Sequence, residues 1–291
     1  MSVITSLPGF IKKLETMNGP IKYGLTNDFM FHMVFQSSEI ALRDLLCSIL
    51  GLRPPDIKKI RIMNPIKYGS SAVKKRMELD INILLNDDTV IDLEMQAFMK
   101  DYWPDRSLSY MGRSFANLNK GENYKNTPTV IHIVIMDYTP FPEEPAFFSE
   151  YRLENVKTHR IYSDKFRIYV IDLTKRESAD KTHRNKKLYH WAKLFKAKSW
   201  EEAAMIAEKD KALSEAAGAM LYFNEDFWAQ KEAMDRAFFH ADKLKQRAEK
   251  AKLKAELRKA LQEKDAALRE KQKKDAENAR LKEEIARLRK L

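Results

Sequence analysis

Residues 77–96, MELDINILLNDDTVIDLEMQ, constrain this chain more than any other stretch. Two runs of alternating apolar and polar residues, Glu78–Leu85 and Thr89–Ala97, flank the turn cluster Asn86-Asp87-Asp88, which is the pattern of a β-hairpin. A three-residue loop pairs Leu85 with Thr89, and the same register continued sets Asp80 across from Glu94. Period two then gives Leu79, Ile81, Ile83, Leu85, Ile91, Leu93 and Met95 one face. Asp80, Asn82, Asp92, Glu94 and Gln96 take the other. A slip of one residue would drive the acids into the core, so the pattern admits one register.

Side chains directly across an antiparallel pair lie about 5 Å apart, so three carboxylates and two amides gather on the polar face. Such charges repel unless something compensates them. A divalent cation with oxygen ligands, Mg²⁺ or Mn²⁺, would do so. A half-exposed hairpin with a solvated outer face would carry the same pattern, although Asp is a poor strand former and appears twice.

Prolines and glycines divide the rest. All ten prolines lie at or before Pro145, and the only glycine after Gly121 is Gly218. Beyond Leu173 the chain is therefore expected to be helical, with one segment over Trp200–Asn224 and another from about Glu225; before it, helices and strands alternate. Thr26-Asn27-Asp28 opens a helix carrying Phe29, Phe31 and Phe35. A second helix, Ile40–Leu50, stops at Gly51. Ile57–Met63 alternates like a strand. A helix starts at Pro104 and ends by Gly121, and Val130–Met136 (VIHIVIM) reads as a strand buried on both faces. A strand, a helix and a buried strand in succession favour a parallel pairing. Arg160–Tyr162 and Arg167–Leu173 are further strands, and His132 reads as a core residue.

Of the 53 Lys and Arg and 42 Asp and Glu, 18 and 10 fall in residues 241–291, a balance of +8. Residues 1–240 keep 35 against 32, so the basic net charge says little about the body. The single Cys47 excludes an internal disulfide, and the six histidines never stand at zinc-ligand spacing. No P-loop, nucleophile elbow, dinucleotide fingerprint or long apolar span is present, and the N-terminal segment does not read as a signal peptide. A cytoplasmic, membrane-free setting is the expectation. A two-carboxylate glycosidase is disfavoured because only Trp103 lies near the acids as a sugar-stacking aromatic.

With these elements placed, the chain resembles a known family. Thr26-Asn27-Asp28-Phe29-Met30-Phe31, the strand carrying Asp80, and Ile91-Asp92-Leu93-Glu94-Met95-Gln96 resemble the PD-(D/E)XK nuclease-family transposases, the recombination-promoting nuclease group. Arg106-Ser107-Leu108-Ser109-Tyr110 and Gly121-Glu122-Asn123-Tyr124 before Pro128-Thr129-Val130 match that group as well. The likeness runs from about Tyr23 to Leu173 and more weakly to about residue 235. It implies an α/β (α+β) restriction-endonuclease-like core of order α-β-β-β-α-β around a central mixed sheet, and Mg²⁺-dependent (or Mn²⁺-dependent) cleavage of DNA.

Carried over by position, Asp80 and Glu94 are the metal-binding acids, and Gln96 stands where many members of the superfamily place a catalytic lysine. Asp28 and Asp92 are auxiliary acids. Lys100, Arg106 and Arg113 are the nearest cations that could replace the lysine's charge or bind phosphate. His32 stands where members often have Lys.

The expected organisation is a nuclease-like domain in residues 1–173, a helical cap in 174–240 and a long charged helix in 241–291. In that helix Leu253, Ala260, Ala267, Leu281 and Leu288 recur every seven residues, joined by Leu257 and Ile285. Lys264, Lys271, Lys274 and Asn278 interrupt the seam, so a homo-oligomeric coiled coil, a solvated single helix and a basic arm on DNA all remain open. Two functions follow: a metal-dependent DNA endonuclease linked to recombination or mobile DNA, or a module of the same fold that cuts weakly or not at all, binds DNA or protein and assembles through its C-terminal helix.

Overall fold

The computed structural model describes residues 7–66, 80–99, 103–116, 123–179 and 183–226, and then 229–231, 234–236, 239, 241–255, 257–258 and 261–262. The chain divides into two compact units, Met1–Ala237 and Phe238–Leu291.

In the first unit, α1 (Leu7–Leu14), α2 (Asp28–Ser37) and α3 (Glu39–Leu50) precede the sheet. Asn27 caps α2 by accepting the Met30 N–H at 3.0 Å, and Ser38 caps α3 through the Ala41 N–H at 3.1 Å. Gly51 ends α3 at φ 67°, the left-handed conformation that costs glycine least.

The strands are β1 (Ile60–Ile62), β2 (Ile81–Leu85), β3 (Thr89–Gln96), β4 (Thr129–Met136), β5 (Phe148–Glu154) and β6 (Ile161–Asp172), and they form one sheet in the order β1-β2-β3-β4-β6-β5. The hairpin register is the expected one: Leu85 pairs with Thr89, Asn82 with Asp92 and Ile81 with Leu93. Asn86 and Asp87 turn the chain at φ 52° and 64°, which short Asx side chains tolerate. α4 (Trp103–Phe115) carries the chain over to β4, which runs parallel to β3. β4 and β6 are also parallel, while β1, β2 and β5 pair antiparallel with their neighbours. The expected mixed sheet is thus in place.

Three expectations need correction, and one strand was not expected at all. The strand expected over residues 57–63 shortens to three residues. The two strands expected around Arg160 and Arg167 are one, because the β5–β6 ribbon continues past the end of β4, with Leu153 paired to Ser163. β5 itself was not anticipated. The helix expected over 200–224 breaks into α6 (Trp200–Ala207) and α7 (Lys211–Glu225), because Asp210 caps α7 through the Ala212 N–H at 2.7 Å.

One sheet face packs against helices. Ile81, Ile83, Ile91, Leu93, Ile131, Ile133 and Ile135 are buried with residues of α2, α3, α6, α7 and α5 (His183–Lys196) in a single apolar cluster. Phe31, Phe35, Trp191 and Phe195 bind α2 to α5, with ring centroids 4.9–6.2 Å apart. Asp44 joins α3 to α5 by accepting from Lys187 at 2.6 Å and from Trp191 Nε1 at 2.9 Å. Gly218 lets α7 approach α1; a Cβ there would stand 2.7 Å from Ile11 Cγ1 and 3.3 Å from the Ile11 backbone nitrogen. On the other face α4 packs on β4, where Trp103 meets Val134, Met136 and Val170.

In the second unit residues 241–255 are helical, and Leu253, Leu257 and Leu261 are exposed. The heptad positions beyond residue 262 lie outside the described residues. Among the described residues, no helix is long and apolar enough to cross a membrane.

Candidate active site

The polar face of β2 and β3 is where the acids collect. Asp80 stands one residue before the first paired residue of β2 and Glu94 lies on β3, so the register that pairs Ile81 with Leu93 brings both to the same side. One guanidinium touches both: Arg106, from the first turns of α4, donates to Glu94 Oε1 at 2.9 Å and to Asp80 Oδ2 at 3.3 Å. Its planar fork spans two carboxylates where a lysine ammonium would offer one point of charge. The Tyr110 ring lies 5.1 Å from the Arg106 Cζ, one helical turn on. Burial acts to lower the Arg106 pKa, but the facing charge of Glu94, the hydrogen bond with Tyr110 and the charge of Asp80 outweigh it. The group is held above its ordinary value.

Glu94 is the most enclosed of the three acids on this face, its side chain 5 % exposed against 21 % for Asp80 and 18 % for Asp92. The Gln96 amide N–H donates to Glu94 Oε1, and Gln96 is itself buried. On the far side of the carboxylate, His132 Nε2 lies 3.8 Å from Glu94 Oε2. His132 sits on β4 opposite Asp92, and its Nδ1 is 3.0 Å from Asp92 Oδ2. A carboxylate that only accepts must receive the Nδ1 hydrogen, so Asp92 fixes the ring's orientation. His132 is fully buried as the sequence led us to expect, but it faces the acids instead of the apolar core.

Asn64 holds the Asp80 end of the hairpin. Its side-chain amide donates to the Asp80 carbonyl at 2.7 Å and accepts the Asn82 N–H at 2.9 Å, replacing strand hydrogen bonds where β1 has ended. The sequence assigns His132 to the core and not to the acids, and it does not mark Asn64 at all. VIHIVIM has no alternation to say which way His132 points, and an Asn before Pro65 reads as an ordinary turn residue.

Asp28 and Arg113 meet other partners. Asp28 accepts the Phe29 N–H at 2.9 Å and pairs with Arg236 at 3.0 Å. Arg113 is exposed on α4, its Cζ 6.0 Å from the Tyr110 ring. Lys100 lies outside the described residues. His32 is buried.

The donor types suit a hard cation. Asp80 and Glu94 supply carboxylate oxygens, and beside them Gln96 Oε1 is buried with no hydrogen-bond partner. Among the described residues no group of three or more His, Cys, Asp and Glu forms a ready metal cage, and Arg106 bridges the two acids. The two carboxylates therefore suit a metal by chemistry, with an unpartnered amide oxygen and a cationic side chain alongside.

No curated protein and no solved structure matches the chain. A family model does, over residues 25–243, a span that takes in every described acid of the cluster, Arg106 and His132. With the mixed sheet and the paired acids, that match places this chain in the PD-(D/E)XK nuclease family transposases.

Proposed function

We propose that the chain is a Mg²⁺-dependent (or Mn²⁺-dependent) DNA endonuclease acting in recombination or on mobile DNA. The observation that carries this reading is the meeting of Asp80 and Glu94 on one guanidinium, with the unpartnered Gln96 Oε1 beside them. In the reaction a water oxygen bonds to phosphorus, one P–O ester bond breaks, and the departing oxygen leaves with a proton.

Asp80 and Glu94 hold the ion, which when bound polarises a phosphate oxygen and lowers the pKa of a coordinated water. Gln96 Oε1 orients the attacking water by accepting one of its hydrogens. Arg106 supplies the charge that a lysine at position 96 would have brought, and its fork suits a phosphate as well as a carboxylate. Arg113, exposed on the same helix, reaches a flanking phosphate. Asp92 acts through His132, whose ring backs the Glu94 carboxylate, and Asp28 fastens α2 through Arg236. The exposed Leu253, Leu257 and Leu261 favour self-association through the C-terminal helix.

One observation favours the second reading, a DNA-binding or protein-binding module that does not cut: Arg106 already pairs with both acids. Incubation of the full chain with supercoiled plasmid and Mg²⁺ or Mn²⁺, beside Asp80→Ala and Glu94→Ala, separates the two. Metal-dependent nicking lost in both variants supports the enzyme. Nicking that is absent, or equal in wild type and variants, rejects these roles.

A further inference from the structure

Glu94 Oε1 has two lone pairs, and two donors use them: the Arg106 guanidinium and the Gln96 amide. An ion that takes Oε1 as a ligand must displace one of these. Gln96 is the less free to leave, since it is a buried residue on β3 itself. Arg106 reaches in from α4 on a long side chain that is 23 % exposed, so it has somewhere to go. Electrostatics points the same way. A divalent cation placed against both acids would face the guanidinium at a few ångströms, and like charges at about 4 Å repel strongly when water is scarce.

An arginine driven off two carboxylates in a half-buried site still needs an anion. Among the described residues the polar face offers Arg106 Asp80 and Glu94; Asp92 is engaged by His132. The oxygens of a phosphodiester present the same forked acceptor geometry as a carboxylate pair.

We propose that Arg106 has two stations, across Asp80 and Glu94 in the free protein and on a DNA phosphate once a divalent cation holds those acids, so that cation and phosphate bind as a coupled pair. The proposal rests on the reading of Asp80 and Glu94 as cation ligands. It adds that Arg106 competes with the cation in the absence of DNA and joins it in the presence of DNA. By linkage the coupling is reciprocal: phosphate tightens the cation by the factor by which the cation tightens phosphate.

The test is Mn²⁺ binding to the full chain without DNA, followed by calorimetry and by the electron-spin signal of free Mn²⁺, for wild type, Arg106→Gln and Asp80→Asn. Arg106→Gln is expected to bind Mn²⁺ at least tenfold more tightly than wild type. A short duplex with hydrolysis-resistant phosphorothioate links is expected to tighten Mn²⁺ binding at least tenfold more in wild type than in Arg106→Gln. Equal or weaker Mn²⁺ binding by a folded Arg106→Gln overturns the coupling while leaving the nuclease reading in place. Mn²⁺ binding unchanged in Asp80→Asn, or absent from both wild type and Arg106→Gln, overturns the ligand assignment and the coupling with it. Should Arg106→Gln fail to fold, Arg106→Lys, which keeps the charge but loses the fork, carries the same expectation at several-fold; no gain there counts against the proposal.

Discussion

The two faces of one sheet put the same backbone to opposite uses. On one, Ile81, Ile83, Ile91, Leu93, Ile131 and Ile133 are fully or nearly fully buried beneath helices. On the other lie Asn82, Asp92, Glu94 and His132 of those strands, with Asp80 just before β2, beside Val134 and Met136 under Trp103. Each side chain on the first face stabilises the fold by removing apolar area from water, and no particular partner is required. On the second face each polar group must meet a specific partner, because a buried polar atom left alone is costly. The apolar face therefore carries most of the folding, and on the proposed function the acid face carries the chemistry.

Substitutions can break or sharpen that division. The largest stability effect is expected in the helices over the apolar face. Phe35→Ala removes a ring that contacts Phe31, Trp191 and Phe195, and should cost about 3–5 kcal/mol in urea unfolding. Plasmid nicking per folded molecule should be unchanged. Gly218→Ala comes next, at about 1–3 kcal/mol, since the new Cβ presses on the Ile11 backbone as well as its side chain. Smaller still is Asn64→Ala, expected to cost roughly 1–2 kcal/mol as the Asp80 carbonyl and the Asn82 N–H lose their partner. Because it loosens the chain at Asp80, its nicking rate should fall more than its stability. If nicking and stability fall together in all three variants, the division between the faces is wrong.

Much of this plan was legible in the residues. The hairpin register could be read because alternation and the Asn86-Asp87-Asp88 turn agree, and either alone would have left a slip open. The parallel β3–β4 pair followed from the helix between two strands, and Gly51 and Asn27 marked helix ends where the structure has them.

What could not be read has physical causes. β5, FSEYRLE, is a sheet-edge strand whose outward residues are polar, so it lacks an apolar signature. Asp164 and Lys165 appeared to interrupt β6, yet Asp164 is exposed and the half-buried Lys165 ammonium donates to the Lys125 and Thr127 carbonyls. At the site, the sequence placed Arg106 near the acids without saying that it would bridge them, because a side chain's reach depends on how α4 lies on the sheet. That His132 faces the acids was hidden for the complementary reason. In a strand buried on both faces, apolar residues on each side conceal the direction of the single polar one.

The most direct measurement is the Mg²⁺-dependent nicking rate of Glu94→Gln, taken with its urea unfolding curve. This change keeps the size of the side chain and removes the charge. The account expects nicking to fall on the order of a hundredfold or more while stability stays within about 1 kcal/mol of wild type. A variant that folds normally and nicks DNA as fast as wild type would contradict it.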